Sequence, residues 1–440
     1  MKFVSTRGQA EATNLSEAIR NGAAPDGGLY MPEPLPSLGP DLQAEAALAD
    51  FASEFLKPFF AGDPLENELS AIASEAFDFP VPLVVPDAGR PGLHALELFH
   101  GPTGAFKDFG ARFLMACFDR IGRSGEPLTV LVATSGDTGG AVGCAAEGRR
   151  SVRAVILFPE GRVSPFQERQ LTCWNEPVRP LEVVGDFDDC QRLVKTAFAD
   201  AELAREQRLT SANSINFGRL LPQIAYVSQA TMKVFARTGV KPGFIMPTGN
   251  LGHGFAVLLA RAMGVPVGPV VLATNANRTL KDWHQSHRYE PRASIQTLAN
   301  AMDVGNPSNF ERLIALPEEL RQVRVELVDD DQIKARIKVD YERSDYVWCP
   351  HSATAAEAYA RLSERERSER PWIVAATAHP YKFRETVEPL IGRQVEPTPA
   401  LASILGRNTR KTEIAPTLPA LARTLRETET VTPAKAGTSA

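Results

Sequence analysis

The chain has 440 residues, long enough for two or three domains with a large buried core. Apolar residues make up 43% and charged residues 23%, an ordinary balance for a globular protein. A net charge of −5 gives no electrostatic footprint for nucleic acid or an anionic membrane, and no apolar run approaches the roughly 18 residues that span a bilayer.

The N-terminus, Met1-Lys2-Phe3-Val4-Ser5-Thr6-Arg7, has no apolar signal core behind it, so a cytoplasmic protein is expected. Residues 1–92 mix short helical patterns with proline-rich turns. Gly27-Gly28-Leu29-Tyr30-Met31-Pro32 reads as a turn into an extended segment, residues 43–76 carry helical periodicity, and Pro80, Pro82, Pro86 and Pro91 mark a boundary. From there to about residue 393, apolar strands alternate with helical patterns. The strands are read at Leu128–Ala133, Val152–Phe158, Leu181–Val184, Gly243–Met246, Pro269–Ala273, Tyr346–Trp348 and Trp372–Ala376. Continuous apolar strands separated by helices imply α/β architecture, with parallel sheets covered on both faces. Ligands in such folds sit beyond the carboxyl ends of the strands. Residues 396–426 are irregular, with one helix from Leu418 to Arg426, and residues 427–440 have a disordered composition. Cys117, Cys144, Cys173, Cys190 and Cys349 lack metal spacing and read as reduced thiols; His100, His253, His351 and His379 are far apart in sequence, with no pair among them at helical ligand spacing, so no metal is expected.

Five stretches on and around these strands are rich in chemistry. His100-Gly101-Pro102-Thr103-Gly104-Ala105-Phe106-Lys107 puts one lysine between a Gly/Pro turn and an apolar-periodic helix, where an amine can lose solvent and become a nucleophile. By position alone, a solvated surface lysine is the commoner reading. Thr134-Ser135-Gly136-Asp137-Thr138-Gly139-Gly140 follows a strand and opens a helix, which suits a carboxylate or phosphate, or merely caps the helix. Pro247-Thr248-Gly249-Asn250-Leu251-Gly252-His253-Gly254 follows another strand, and its glycines allow close approach of a bound phosphate. Ser211-Ala212-Asn213-Ser214-Ile215-Asn216-Phe217-Gly218-Arg219 gathers amides, hydroxyls and one guanidinium suited to an anion, although an ordinary polar turn has similar composition. Thr377-Ala378-His379-Pro380 follows the last strand and offers a hydroxyl at its end. Neither G-x-G-x-x-G at these loops nor G-x-x-x-x-G-K-[ST] anywhere supports a nucleotide site.

Taken together, these stretches resemble the threonine synthase family. The resemblance rests on Phe99–Phe109, the Ala-Thr-Ser-Gly-Asp-Thr-Gly loop, the Pro-Thr-Gly-Asn-x-Gly loop, Thr377–Phe383, Ala301–Val304, Pro307–Arg312 and Pro350-His351, and it covers roughly residues 1–426. It implies a fold-type-II pyridoxal-phosphate enzyme: two doubly wound parallel-sheet domains, 93–225 and 226–395, after an N-terminal extension domain of 1–92, with 396–426 packing back. It further implies that Lys107 binds pyridoxal 5'-phosphate as a Schiff base, that Thr248, Gly249, Asn250, Leu251 and Gly252 cradle the cofactor phosphate, and that Thr377 meets the pyridine nitrogen. Ser135, Gly136, Asp137 and Thr138 would then hold the amino-acid end of O-phospho-L-homoserine, and Asn213, Ser214 and Arg219 its phosphate. Such an enzyme acts on a small molecule, as a monomer or homodimer. The sequence departs from the family pattern at Gly104 (usually Leu), Leu251 (usually Phe) and His253 (usually Asp). His253 is expected to face solvent, the alternative being a positive charge near the cofactor phosphate. A threonine/serine dehydratase, a phosphohomoserine phospho-lyase and a non-catalytic binding protein remain rivals; the Arg219 constellation disfavours the dehydratase.

Overall fold

The computed structural model describes residues 1–39, 42–122 and 127–427. The segment read as disordered therefore lies, from residue 428 on, outside the described residues. Strands Leu128–Ala133, Gly243–Pro247, Val270–Thr274 and Trp372–Ala376 are buried at every position. A strand that is apolar on both faces needs cover on both, and helices on each side of a parallel sheet provide it.

Two such sheets result. The larger has six strands in the order Arg324–Leu327, Val270–Thr274, Gly243–Pro247, Trp372–Ala376, Leu93–Glu97 and Leu83–Val84. All its pairings are parallel except the last, a short antiparallel edge. The smaller has five parallel strands in the order Thr412–Ile414, Val178–Val183, Val152–Pro159, Leu128–Ala133 and Leu209–Thr210. Ahead of both, Lys2–Ser5 pairs antiparallel with Tyr30–Glu33. Helices Leu48–Phe60 and Leu69–Ala76 then bury Phe51, Phe55, Phe59, Phe60 and Ile72 in the same core as Phe109 and Phe113 of helix Lys107–Gly122.

Three expectations change. Leu93–Glu97, placed with the smaller unit from sequence, pairs with Trp372–Ala376 in the larger sheet, so the chain crosses between sheets in the lysine turn itself. Tyr346–Trp348 is not a strand. Its side chains are tied down by polar atoms: the Tyr346 hydroxyl donates to Glu97 Oε1 at 2.8 Å, and the Trp348 indole N–H donates to Asp340 Oδ2 at 2.9 Å. An apolar run of this length is equally a buried connection, which periodicity alone does not separate from a strand. The C-terminal stretch is also more regular than its prolines suggest. It holds helix Pro399–Leu405, strand Thr412–Ile414 and helix Leu418–Arg426, whose Leu421 and Leu425 pack beside Leu193 and Val194.

Candidate active site

Strand order sets the site. Gly243–Pro247, Trp372–Ala376 and Leu93–Glu97 are adjacent and parallel, so the chain leaves all three at one edge. Those exits are the Thr248 loop, the Thr377 turn and the segment leading to Lys107. In the smaller sheet, Leu128–Ala133 and Leu209–Thr210 are likewise adjacent and parallel, so the Ser135 and Asn213 loops also emerge together.

Backbone bonds stitch the lysine turn to the Thr377 turn. Phe106 N donates to the Thr377 carbonyl at 2.8 Å, His379 N donates to the Gly104 carbonyl at 2.9 Å, and Ala105 and Ala378 form an antiparallel bridge. Gly104 has φ +67°, in the left-handed region where a side chain is strained. A Cβ there would lie 3.0 Å from both Leu401 methyls. The turn is closed by Asp108, which accepts from Thr103 N at 2.9 Å and Thr103 Oγ1 at 2.6 Å. Burial pushes the Asp108 carboxyl up despite these bonds.

Lys107 begins helix Lys107–Gly122, with Nζ 4.7 Å from the centre of the Phe106 ring. Burial lowers its amine from 10.5 to about 8; Asp137 pushes it back up, while Arg219 and Lys382 lower it further. Asp137 is held well below the usual carboxylate range: burial alone would raise it, but Lys382, Lys107 and His351 outweigh that. Lys382 Nζ, fully buried, lies 3.0 Å from Asp137 Oδ1 and donates to the Thr103 carbonyl at 2.8 Å. Gln167 Nε2 donates to the same Asp137 oxygen at 3.2 Å. The Asp137 side chain is thus a structural partner of Lys382. The anion-binding capacity of its loop rests on the backbone at the N-terminus of helix Asp137–Ala146. Gly136 caps that helix at φ 142°, a conformation side chains rarely adopt, and Gln167 packs against it. Ser135 and Thr138 flank it, partly buried.

The second loop opens helix Gly252–Ala262, which has no side-chain cap, so its first-turn N–H groups are free for an anion. Leu251, the residue before it, is buried and left-handed at φ +66°. A Cβ on Gly249 would lie 2.8 Å from Met302 Cα, and one on Gly252 would lie 3.2 Å from Ser214 Cβ, so neighbouring chain segments close on the cradle. Asn250 accepts at its carbonyl from Asn309 N at 3.2 Å and at Oδ1 from Ser308 Oγ at 3.2 Å. The Thr248 hydroxyl is buried and donates to the Met246 carbonyl at 2.8 Å, so it meets an anion only by rotating.

In the third loop, Asn309 Nδ2 donates to Ser214 Oγ at 3.1 Å, leaving the Ser214 proton available. Among the described residues, Asn213 Oδ1 and Arg219 Nε are buried without a partner. Arg219 packs across Gly110 of the lysine helix, donates to the Ala212 carbonyl and is lowered by burial to about 10. Behind it, buried Arg312 donates to the Ser214, Ile215 and Tyr30 carbonyls at 3.1, 2.7 and 3.2 Å, tying this loop to the N-terminal strand pair.

Among the described residues the Thr377 hydroxyl has no hydrogen-bond partner, although its backbone N–H donates to Ser352 Oγ at 2.9 Å. A free hydroxyl, an uncapped helix N-terminus walled by glycines and a desolvated lysine suit the ring nitrogen, phosphate and aldehyde of pyridoxal phosphate. The expectation for His253 is corrected. It is 6% exposed, stacks on Phe106 (centroids 4.4 Å apart, planes at 9°) and bonds Tyr226 Oη through Nε2 at 2.8 Å. Burial lowers it to about 3, so it is uncharged and adds no positive charge to the cradle.

A family model described as pyridoxal-phosphate dependent enzyme matches residues 80–378. Models for the threonine synthase N terminus and C-terminal region match 2–77 and 352–424. A Haemophilus influenzae threonine synthase is 36% identical over 400 residues, covering 90% of this chain and 92% of its own. The chain belongs to the threonine synthase family. Solved threonine synthases agree in fold. The Escherichia coli crystal structure has a TM-score of 0.88 at 33% identity, covering 97% of this chain and 99% of its own. A pyridoxal-phosphate-bound structure from Brucella melitensis has the same TM-score at 34% identity, covering 97% and 99%. As a threonine synthase family member the chain is a pyridoxal-phosphate-dependent lyase of fold type II. Sequence reasoning missed Lys382, Gln167 and His351 as site neighbours. Lys382 and His351 sit in stretches already noted as family-like, but Gln167, on helix Pro165–Thr172, carried no signal.

Proposed function

We propose that the chain converts O-phospho-L-homoserine and water to L-threonine and inorganic phosphate. The observation that carries this reading is the convergence of Lys107, the Thr377 hydroxyl and the uncapped helix at Gly252 at adjacent strand ends of the larger sheet, with the Asn213–Arg219 loop of the smaller sheet closing on them at Gly252 and Gly110. Bound at Lys107, pyridoxal phosphate supplies an electron sink for removing protons beside the substrate's amino carbon.

The backbone of 249–252 would hold the cofactor phosphate, and the Thr377 hydroxyl would partner the ring nitrogen. A hydroxyl there, in place of a carboxylate, leaves that nitrogen largely unprotonated. Ser135, Gly136, Asp137 and Thr138 orient the substrate carboxylate through their N–H groups and hydroxyls. Asn213, Ser214 and Arg219 hold the substrate phosphate and then the departing phosphate ion. Lys107 Nζ, once free of the cofactor, would take the proton from the α-carbon and later return one there. An amine near 8 has a usable neutral fraction at neutral pH. The β-carbon gives up a proton, phosphate leaves the γ-carbon, and the γ-carbon takes up a proton; water then adds its hydroxyl at the β-carbon as the α-carbon is reprotonated. The five cysteines are free thiols, which suits the reducing cytoplasm.

The test is Lys107→Ala. The parent, given cofactor and O-phosphohomoserine, forms phosphate and threonine and carries a visible cofactor band. The variant forms neither product and lacks the band; unchanged threonine formation sinks the assignment.

A further inference from the structure

His253 is the second residue of the helix that opens the phosphate cradle, yet its ring turns into the core. Three neighbours fix it: Phe106, stacked at 4.4 Å; Tyr226 of helix Leu221–Thr238, bonded at 2.8 Å; and, over the same Phe106 ring, the Lys107 amine at 4.7 Å. Its Nδ1 is buried without a partner among the described residues. The proton arrangement follows from counting. If the Tyr226 hydroxyl donates to Nε2, one donor, Nδ1–H, is left unpaired. If Nε2–H donates to the hydroxyl, a hydroxyl proton and a ring lone pair are both left. The first leaves fewer buried polar groups unmatched.

We propose that His253 is a positioning residue for Lys107: a ring that, held by Tyr226, fixes Phe106 beside the amine and leaves Asp137 as its counter-charge. The groups acting on Lys107 come from every side. Asp137 lies on helix Asp137–Ala146, Arg219 on the turn Phe217–Arg219 and Lys382 on the turn Pro380–Phe383. Asp137 is already shared with Lys382 at 3.0 Å. Facing His253 are the neutral Tyr226 hydroxyl and the Lys107 amine; burial and the charge of Lys107 disfavour a charged imidazole. A carboxylate at position 253 would give Lys107 a second anion and hold its proton longer. The proposal rests on Lys107 being the reactive lysine of the function proposed above, but its first readout needs no turnover, so the two fail separately.

The full chain without cofactor is treated with acetic anhydride across a pH series, and acetylation of Lys107 is followed by peptide mass spectrometry. In the parent the midpoint lies near 8. His253→Asp moves it up by about one pH unit, as a nearby opposite charge does, and moves the acidic limb of kcat in the cofactor-loaded enzyme the same way. His253→Phe keeps the ring and leaves the midpoint in place. A folded His253→Asp protein with the parent's midpoint overturns the proposal, as does a His253→Phe shift equal to that of His253→Asp. Nitrogen-15 spectra of the loaded parent protein give a check that needs no variant: His253 reads as neutral with the proton on Nδ1 at pH 6, and an imidazolium signal there overturns the proposal.

Discussion

At the scale of the residue, the proposed function gives Lys107 and Arg219 opposite tasks in the same buried space. The base must be neutral to work, so kcat rises as pH rises through the region near 8, and a rate profile flat from pH 6 to 9 would exclude Lys107 as the limiting base. Arg219 keeps its charge, even lowered to about 10. Arg219→Ala raises the Michaelis constant for the phosphorylated substrate at least tenfold, the order of one lost charge-assisted contact, and changes cofactor affinity little. Equal effects on both would move Arg219 out of the substrate phosphate site. Lys107 was legible because its motif is dense and local. The seat of His253 was not, because a position inside a glycine loop does not say which way a side chain turns; that is decided by Phe106 and by Tyr226, 27 residues back.

At the scale of the element, helix Pro399–Leu405 bears on the lysine turn through Leu401. Leu401 is fully buried and fills the space a side chain at 104 would need. Gly104→Ala therefore meets two obstacles, the left-handed backbone and the Leu401 methyls, and costs about 1–2 kcal/mol or more in denaturant melts. Leu401→Ala in the same chain relieves the steric part, so the double variant loses less than the sum of the two single losses. Strict additivity would show that Leu401 does not press on the turn. The apolar strands Leu128–Ala133, Gly243–Pro247 and Trp372–Ala376 were plain in the sequence, since burial on both faces leaves no polar interruption. Helix Pro399–Leu405 and strand Thr412–Ile414 were not. They are short and proline-flanked, and they hold their places by tertiary contacts such as Arg169 Nη1 to the Leu405 carbonyl at 2.9 Å.

At the scale of the whole molecule, the two sheets meet across the site through buried polar contacts. Lys382, after a strand of the larger sheet, pairs with Asp137, after a strand of the smaller one. Asn300 Nδ2 reaches Gln167 Oε1 at 3.4 Å across the same gap. Lys382→Met strands the Asp137 carboxylate and costs about 3–5 kcal/mol by chemical denaturation, as removal of one partner of a buried pair does. With the charge partner gone, the Asp137 carboxyl titrates higher, so this loss is greatest above its new midpoint and shrinks at acid pH; a loss independent of pH would contradict the pairing. The α/β class was legible from strand composition, whereas the pairing of Leu93–Glu97 with the larger sheet was not, because neighbour order in a sheet is set by long-range packing. The central claim is that these converging strand ends make threonine from a phosphorylated substrate. Purified protein mixed with pyridoxal phosphate and O-phosphohomoserine tests it directly, by measuring phosphate, threonine and 2-oxobutanoate in one reaction. The account predicts phosphate and threonine in equal amounts; phosphate accompanied by 2-oxobutanoate, or no phosphate release from cofactor-loaded protein, would contradict it.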